Sequence, residues 1–216
     1  MSTRFLFVRH GQSVANAAGV FIGQTDLPLS ALGQKQAQLL CDGYLSKKQI
    51  DVLYSSDLKR AIETIQPTAA SKEMTIHPDQ RFREIYGGDW EGKSFEQLTR
   101  EYRSEYGVWL QNISEAVCTK GESTANLRLR LLGAVRNLAE QYPGKTVCVA
   151  THAMAIRSLT PDFFGQPFEN CRLYPFVHNA SVTTVDYCPQ AERFTLVEFD
   201  RCDYLENLAT ALPNTV

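Results

Sequence analysis

Short apolar runs alternate with amphipathic stretches along this chain. Phe5-Leu6-Phe7-Val8 has strand composition. Ser30 can cap a helix whose apolar positions Ala37, Leu40, Cys41, Tyr44 and Leu45 recur at helical spacing and form one buried face. Asp51 to Tyr54 reads as a short central strand, and Ser56 or Asp57 can cap a following helix with the core stripe Leu58, Ala61, Ile62 and Ile65. Pro67 is expected to kink or end that helix near Ile65. Met74 to His77 reads as an edge strand closed by Pro78, and a loop over 79–92 follows. Ser94-Phe95-Glu96-Gln97 has capping-box spacing and opens a helix to about Tyr102. A long amphipathic helix begins after Gly121-Glu122-Ser123, buries Leu127, Leu131, Ala134 and Leu138, and stops before Pro143-Gly144. Lys145 to Ala150 is a buried strand; Val182 to Tyr187 and Phe194 to Phe199 form a hairpin.

This order predicts an α/β fold: a three-layer α/β/α sandwich with a mostly parallel central sheet and an antiparallel edge, formed by a single domain over 1–216. The least regular stretch, 100–120, carries Tyr102, Tyr106 and Trp109 among charged residues. The segment 93–121 is either a cap over a site or a packed excursion, and the pattern leaves both open.

Three of these strands end on residues that carry chemistry. The first delivers Arg9-His10-Gly11, the second Ser55 to Arg60, and the strand at 145–150 delivers Thr151-His152-Ala153. If the three are parallel neighbours, their carboxyl ends converge on one crevice, where ligands of open α/β sheets bind. Gly11 is expected there for a positive φ or for close approach to a ligand. Arg60 falls in the first turn of a helix, where a cation gains nothing from the dipole. An anionic ligand shared between helix N–H groups and guanidinium explains it; a solvated surface arginine is the plain alternative.

With 44% hydrophobic residues, 216 residues can bury one substantial core. A net charge of −2 gives no basic field for nucleic acid or an anionic membrane, so an anionic substrate needs local cations. No leader-like apolar segment precedes the first strand and no run approaches the roughly 18 residues of a membrane span, which predicts a soluble cytoplasmic protein. The six cysteines lie far apart and are expected as free thiols. The sequence leaves the oligomeric state open, a homodimer included.

Two histidines beside two arginines make a poor metal site, because guanidinium repels a cation, and no metal or organic cofactor is implied. The same set suits phosphoryl transfer. Arginine's planar fork binds equatorial phosphate oxygens, imidazole can attack phosphorus, and a carboxyl with raised pKa can protonate the leaving oxygen.

Arg9-His10-Gly11, together with Phe21-Ile22-Gly23-Gln24-Thr25-Asp26-Leu27-Pro28-Leu29-Ser30, closely resembles the opening of the histidine phosphatase superfamily, the phosphoglycerate mutase-like proteins. That resemblance implies His10 as the nucleophile, Arg9 and Arg60 as the phosphate clamp, and His152 as the second histidine of the site. It implies Glu84, within Arg83-Glu84-Ile85-Tyr86-Gly87-Gly88-Asp89-Trp90-Glu91-Gly92, as proton donor. Asn16 is implied as a phosphate contact, Gln24 and Thr25 as further ligand contacts, and Asn179 as a neighbour of the phosphate pocket. From the residues alone, Asp89, Glu91 and Glu122 rival Glu84, Arg157 is as well suited to an ion pair within the fold, and His77 and His178 are structural or exposed. The family usually places glycine after its second histidine; here Ala153 stands there, and because the added methyl is small the site is expected to survive, with altered loop geometry at most.

Within the family the choice lies between mutase and phosphatase. The mutases resembled here carry a longer, more basic insertion after Trp-Glu-Gly. Here Lys93, Arg100, Arg103 and Lys120 are balanced by Glu96, Glu101, Glu105 and Glu115. The expectation is therefore a phosphomonoesterase acting on a small phosphorylated substrate and releasing inorganic phosphate. A phosphoglycerate mutase and a catalytically weak phosphate-ligand binding protein are the alternatives. Tyr102, Tyr106 and Trp109 would suit an apolar or ring-bearing leaving group, with core packing as the plainer role.

Overall fold

The computed structural model describes residues 1–212; the last four residues of the expected domain, 213–216, lie outside the described residues. The N-terminal apolar run becomes strand β1 (Thr3–Arg9), buried on both faces because successive side chains alternate. Phe5 and Phe7 join one core, Leu6 and Val8 the other. A short helix α1 (Val14–Ala18) and the longer α2 (Ala31–Gly43) follow, the latter capped by Ser30, whose hydroxyl accepts from the Gly33 N–H. Tyr44 and Leu45, expected on the face of α2, are buried from the turn just beyond it.

Strand β2 (Val52–Ser55), helix α3 (Lys59–Ser71) and strand β3 (Ile76–Pro78) come next. Beyond the 79–92 loop lie α4 (Phe95–Glu101), α5 (Arg103–Gln111) and α6 (Thr124–Gln141), with Ser94 supplying a complete capping box and Ser123 the cap of α6. Strand β4 (Thr146–Thr151), α7 (Ala153–Phe163), β5 (Val182–Cys188) and β6 (Arg193–Arg201) complete the chain's regular elements.

The six strands form one sheet in the order β3-β2-β4-β1-β5-β6. The first three pairings are parallel; β1–β5 and β5–β6 are antiparallel, so the hairpin makes the antiparallel edge. Helices α2 and α3 pack on the face that carries Leu6, Leu53 and Ala150, while α6 and α7 pack on the face that carries Phe5, Phe7 and Val149. This is the three-layer sandwich. No helix among the described residues is long and apolar enough to cross a membrane. All six cysteines are unpaired, and Cys41, Cys118, Cys148 and Cys171 are buried.

Three local expectations are corrected. Strand β2 is second from the sheet edge rather than central. Neither Ser56 nor Asp57 caps α3: Leu58 occupies that position without a side-chain bond, because both candidates are engaged elsewhere. Helix α3 continues through Pro67 to Ser71. The missing N–H costs about 3 kcal/mol in an isolated helix, but Thr68 and Ala69 in that final turn are buried, and this packing holds the helix together.

Candidate active site

Strand register sets the geometry of the site. Arg9 pairs with Thr151 and Ser55 with Ala150, so β1, β4 and β2 end at one level. Just past those ends the His10 N–H donates to Thr151 O at 3.0 Å and the Ser56 N–H to Ala150 O at 2.8 Å. His10 and His152, far apart in sequence, consequently stand with ring centroids 5.1 Å apart. Gly11 has no positive φ; a side chain there would place Cβ 2.7 Å from Gly33 O, so close packing against α2 by itself requires glycine.

The two imidazoles are held in defined tautomers. His10 Nδ1 lies 2.7 Å from Gly11 O, which can only accept; the proton therefore sits on Nδ1, and the Nε2 lone pair makes no bond to the described residues. His152 is the reverse. Its Nδ1 accepts from Arg60 Nε at 3.2 Å, so Nε2 carries the proton and donates to Ser56 Oγ at 2.8 Å. Both histidines are held neutral well below the usual imidazole range, first by burial and then by the neighbouring guanidinium of Arg60.

Arg9 is fully buried, and only its Nη1 is satisfied, by donation to Val177 O. Its Nε and Nη2 have no partner among the described residues. Burial draws its pKa down to about 10, as it does for Arg60. Arg60 spends its other donors on Thr25 O at 2.9 Å and Gly23 O at 2.7 Å. One of the helix N–H groups expected to share an anion with it is taken: Lys59 N donates to Asp26 Oδ1 at 2.7 Å.

Glu84 reaches the cavity from the 79–92 loop. Since the His152 side chain does not cap α7, Glu84 does so from outside, accepting from Met154 N at 3.1 Å and Ala155 N at 3.2 Å, and from Ile85 N at 2.9 Å. Burial nonetheless raises its pKa above the ordinary carboxylate value, outweighing the N–H bonds and the arginines. Its rivals are committed elsewhere. Glu122 takes a bidentate bond from Arg130, Glu91 accepts from Gln24 N, Gly87 N and the Thr25 hydroxyl, and Asp89 pairs with Lys120 at 3.0 Å.

Asn16 lines the same cavity; its Oδ1 is used by Ser13 N and Asn179 Nδ2, leaving its amide N–H groups without partners among the described residues. Asn179 stands behind His10, donating to its carbonyl at 3.1 Å. Gln24 and Thr25 do not line the cavity: the Gln24 amide holds Glu84 O at 3.0 Å, and Thr25 binds Glu91. Ala153 opens α7 without positive φ, so its methyl joins the cavity wall with no backbone strain and no altered loop geometry is required. Arg157 forms no ion pair among the described residues; its guanidinium lies over the Phe176 ring, 4.3 Å from the centroid. His178 pairs with Asp200 at 2.7 Å, and His77 is exposed. Phe95 and Trp109 bring the 93–121 segment into the cavity wall, while Tyr106 is core, 5.5 Å from Trp90.

Two supporting residues escaped the sequence reading. Ser56 anchors His152. Arg130 fastens the Glu84 loop by donating to the carbonyls of Arg81, Arg83 and Glu84 while gripping Glu122. Both sit on amphipathic or loop positions with no local motif, and only the fold brings them to the site.

A chain with this geometry has close relatives in sequence and in three dimensions. Phosphoserine phosphatase 1 of Hydrogenobacter thermophilus is 31% identical over 156 residues, covering 72% of this chain and 74% of that protein. A probable phosphoglycerate mutase, GpmB of Yersinia enterocolitica, is 31% identical over 180 residues, covering 83% of each. The solved structure of Bacillus stearothermophilus YhfR superposes with a TM-score of 0.88 at 25% identity, covering 94% of this chain and all of that one. The model of branch 1 of the histidine phosphatase superfamily matches residues 5–200, which take in both histidine-bearing turns and all six strands but for the first two residues of β1 and the last of β6. This chain belongs to the histidine phosphatase superfamily.

Proposed function

We propose that the protein is a phosphomonoesterase that works through a phosphohistidine on His10, with Glu84 as the acid–base group. The observation that carries the reading is the buried Arg9 guanidinium, with two donors unsatisfied, beside an imidazole whose Nδ1 proton is pinned to Gly11 O. Unpaired donors in such a place suit an anion that arrives with the substrate.

His10 Nε2 attacks phosphorus, forming N–P as the ester P–O bond breaks, and Glu84 gives its proton to the departing alkoxide. The free donors of Arg9 and the Asn16 amide N–H groups bind the equatorial oxygens, the Arg60 guanidinium adds positive charge beside them, and His152 holds the Arg60 Nε in place. Glu84, now ionised, takes a proton from water as that water attacks phosphorus. The N–P bond then breaks, freeing inorganic phosphate and neutral His10. Release to water rather than return to an alcohol is supported by the 93–121 segment, where Lys93 and Arg100 pair with Glu101 and Lys120 with Asp89. These cations are spent, as a lid built to retain a bisphosphate would not spend them.

The test is turnover of p-nitrophenyl phosphate and 3-phosphoglycerate in the presence of a chelator, comparing the wild type with His10→Ala. Phosphate release that falls more than about a thousandfold in the variant is the expected result. Interconversion of phosphoglycerates without release would establish a mutase, and phosphate binding without turnover would establish a binding protein.

A further inference from the structure

Beyond the phosphoryl end, the site's walls change character. The ionisable side chains on the cavity lining are Arg9, His10, Arg60 and Glu84, all gathered at the ends of the strands and in the Glu84 loop. The rest of the lining is almost wholly apolar: Phe21 and Ile22 from the loop after α1, Phe95 and Trp109 from α4 and α5, Met154 from α7, and Phe176. Phe21 and Trp109 are themselves locked edge to face at 5.5 Å, and Trp109 packs on Trp90 at 5.7 Å, so this wall is rigid. Arg157, which has no carboxylate partner among the described residues, does not line the cavity and lies against the ring of Phe176.

A leaving group must rest against these walls. A carboxylate or ammonium there would be stripped of water with no counter-charge, whereas aliphatic or aromatic carbon gains from burial. We infer that the substrate is a phosphomonoester of an uncharged apolar alcohol, aliphatic or aromatic. The inference rests on the phosphatase reading above and adds to it the class of alcohol released. Phosphorylated hydroxy acids and amino acids are disfavoured by the same walls.

A homologous series of n-alkyl phosphates, ethyl to hexyl, tests this, because leaving-group basicity hardly changes along it and only contact with the walls does. kcat/KM is expected to rise about fourfold per added methylene until the cavity is filled. Hexyl phosphate should exceed 3-phosphoglycerate and phosphoserine by more than about tenfold, on the same constant. Phe95→Ala, at a half-buried position at the start of α4, should flatten the series, lowering kcat/KM for hexyl phosphate several times more than for ethyl phosphate. Trp109→Ala, checked for folding by circular dichroism, should do the same from the adjoining wall. A flat series in the wild type, or a preference for the charged substrates, would overturn the inference. If p-nitrophenyl phosphate is still hydrolysed in a His10-dependent way, the phosphatase reading survives that outcome. Absence of hydrolysis of every ester would remove both.

Discussion

In the proposed cycle Glu84 gives up a proton in one half-reaction and accepts one in the next, and its surroundings suit both tasks. Burial favours the neutral acid, while three backbone N–H groups and two arginines favour the carboxylate. Glutamine would keep the size and one acceptor but could neither give nor take the proton. Glu84→Gln is therefore expected to lose about 10² to 10⁴ in kcat on an alkyl phosphate. With p-nitrophenyl phosphate, whose phenolate leaves without a proton, the variant should release one equivalent per site in a burst and then stall, since dephosphorylation still needs the base. Stopped-flow absorbance reads this directly; an equal loss on both substrates with no burst would sink the assignment. The pH dependence follows in sign. His10 stays neutral into the acid range because its pKa is lowered, and Glu84 is protonated there because its pKa is raised, so alkyl phosphate kcat/KM should decline on the alkaline side. That decline should be missing from the residual activity of Glu84→Gln.

At the level of elements, the site is a meeting of three strand ends, and its precision depends on the turns that follow them. The turn between β2 and α3 supplies Ser56, whose hydroxyl accepts the His152 Nε2 proton, while Arg60, one turn on, fixes the other ring nitrogen. Ser56→Ala leaves a buried N–H unpaired, at a cost of about 1 to 3 kcal/mol in stability. It should lower kcat about tenfold with little change in KM, a split that steady-state kinetics and thermal melting together resolve. A change confined to KM would show that Ser56 merely packs. The strands and their terminal Arg9, His10 and His152 were legible in sequence because apolar runs that stop abruptly on charged residues are local signals. Glu84 was legible through resemblance, since nothing in its neighbourhood separates it from Glu91 or Glu122. Ser56 and Arg130 were not, because each acts through a partner more than forty positions away. The passage of α3 through Pro67 was misread for the same reason: burial of the final turn is tertiary. The apolar wall was equally hidden, as Phe21, Phe95, Trp109 and Phe176 each read as ordinary core until the 93–121 segment folds back.

Over the whole molecule, the site is a store of uncompensated charge, and it should appear in stability. With no anion bound, Arg9 keeps two donors unsatisfied in a dry interior, where replacing a cation by an apolar side chain of similar length is often neutral or stabilising. Arg9→Met is therefore expected to melt no lower than the wild type in phosphate-free buffer, the lost bond to Val177 O being offset by the relief of desolvation. Inorganic phosphate should raise the wild-type Tm, since a ligand at a hundred times its Kd stabilises by about 2.7 kcal/mol, and this gain should vanish in the variant. Acid works in the other direction. His10 and His152 have lowered pKa values in the fold, so below 6.5 the unfolded chain takes up protons that the native state refuses. Each histidine then withdraws about 1.4 kcal/mol per pH unit until its own lowered pKa is reached. Glu84, with its pKa raised, binds its proton more readily in the native state and partly offsets that loss between its ordinary and its raised value. Phosphate should flatten the acid decline in part, because burial would still disfavour the imidazolium forms while an anion on Arg9 and Arg60 offsets the share of the shift that comes from the guanidiniums. Thermal melts from pH 7.5 to 5, with and without phosphate, decide the matter. A wild type whose Tm ignores phosphate, or an Arg9→Met protein several degrees less stable without it, would show that Arg9 is a structural cation satisfied by the fold itself.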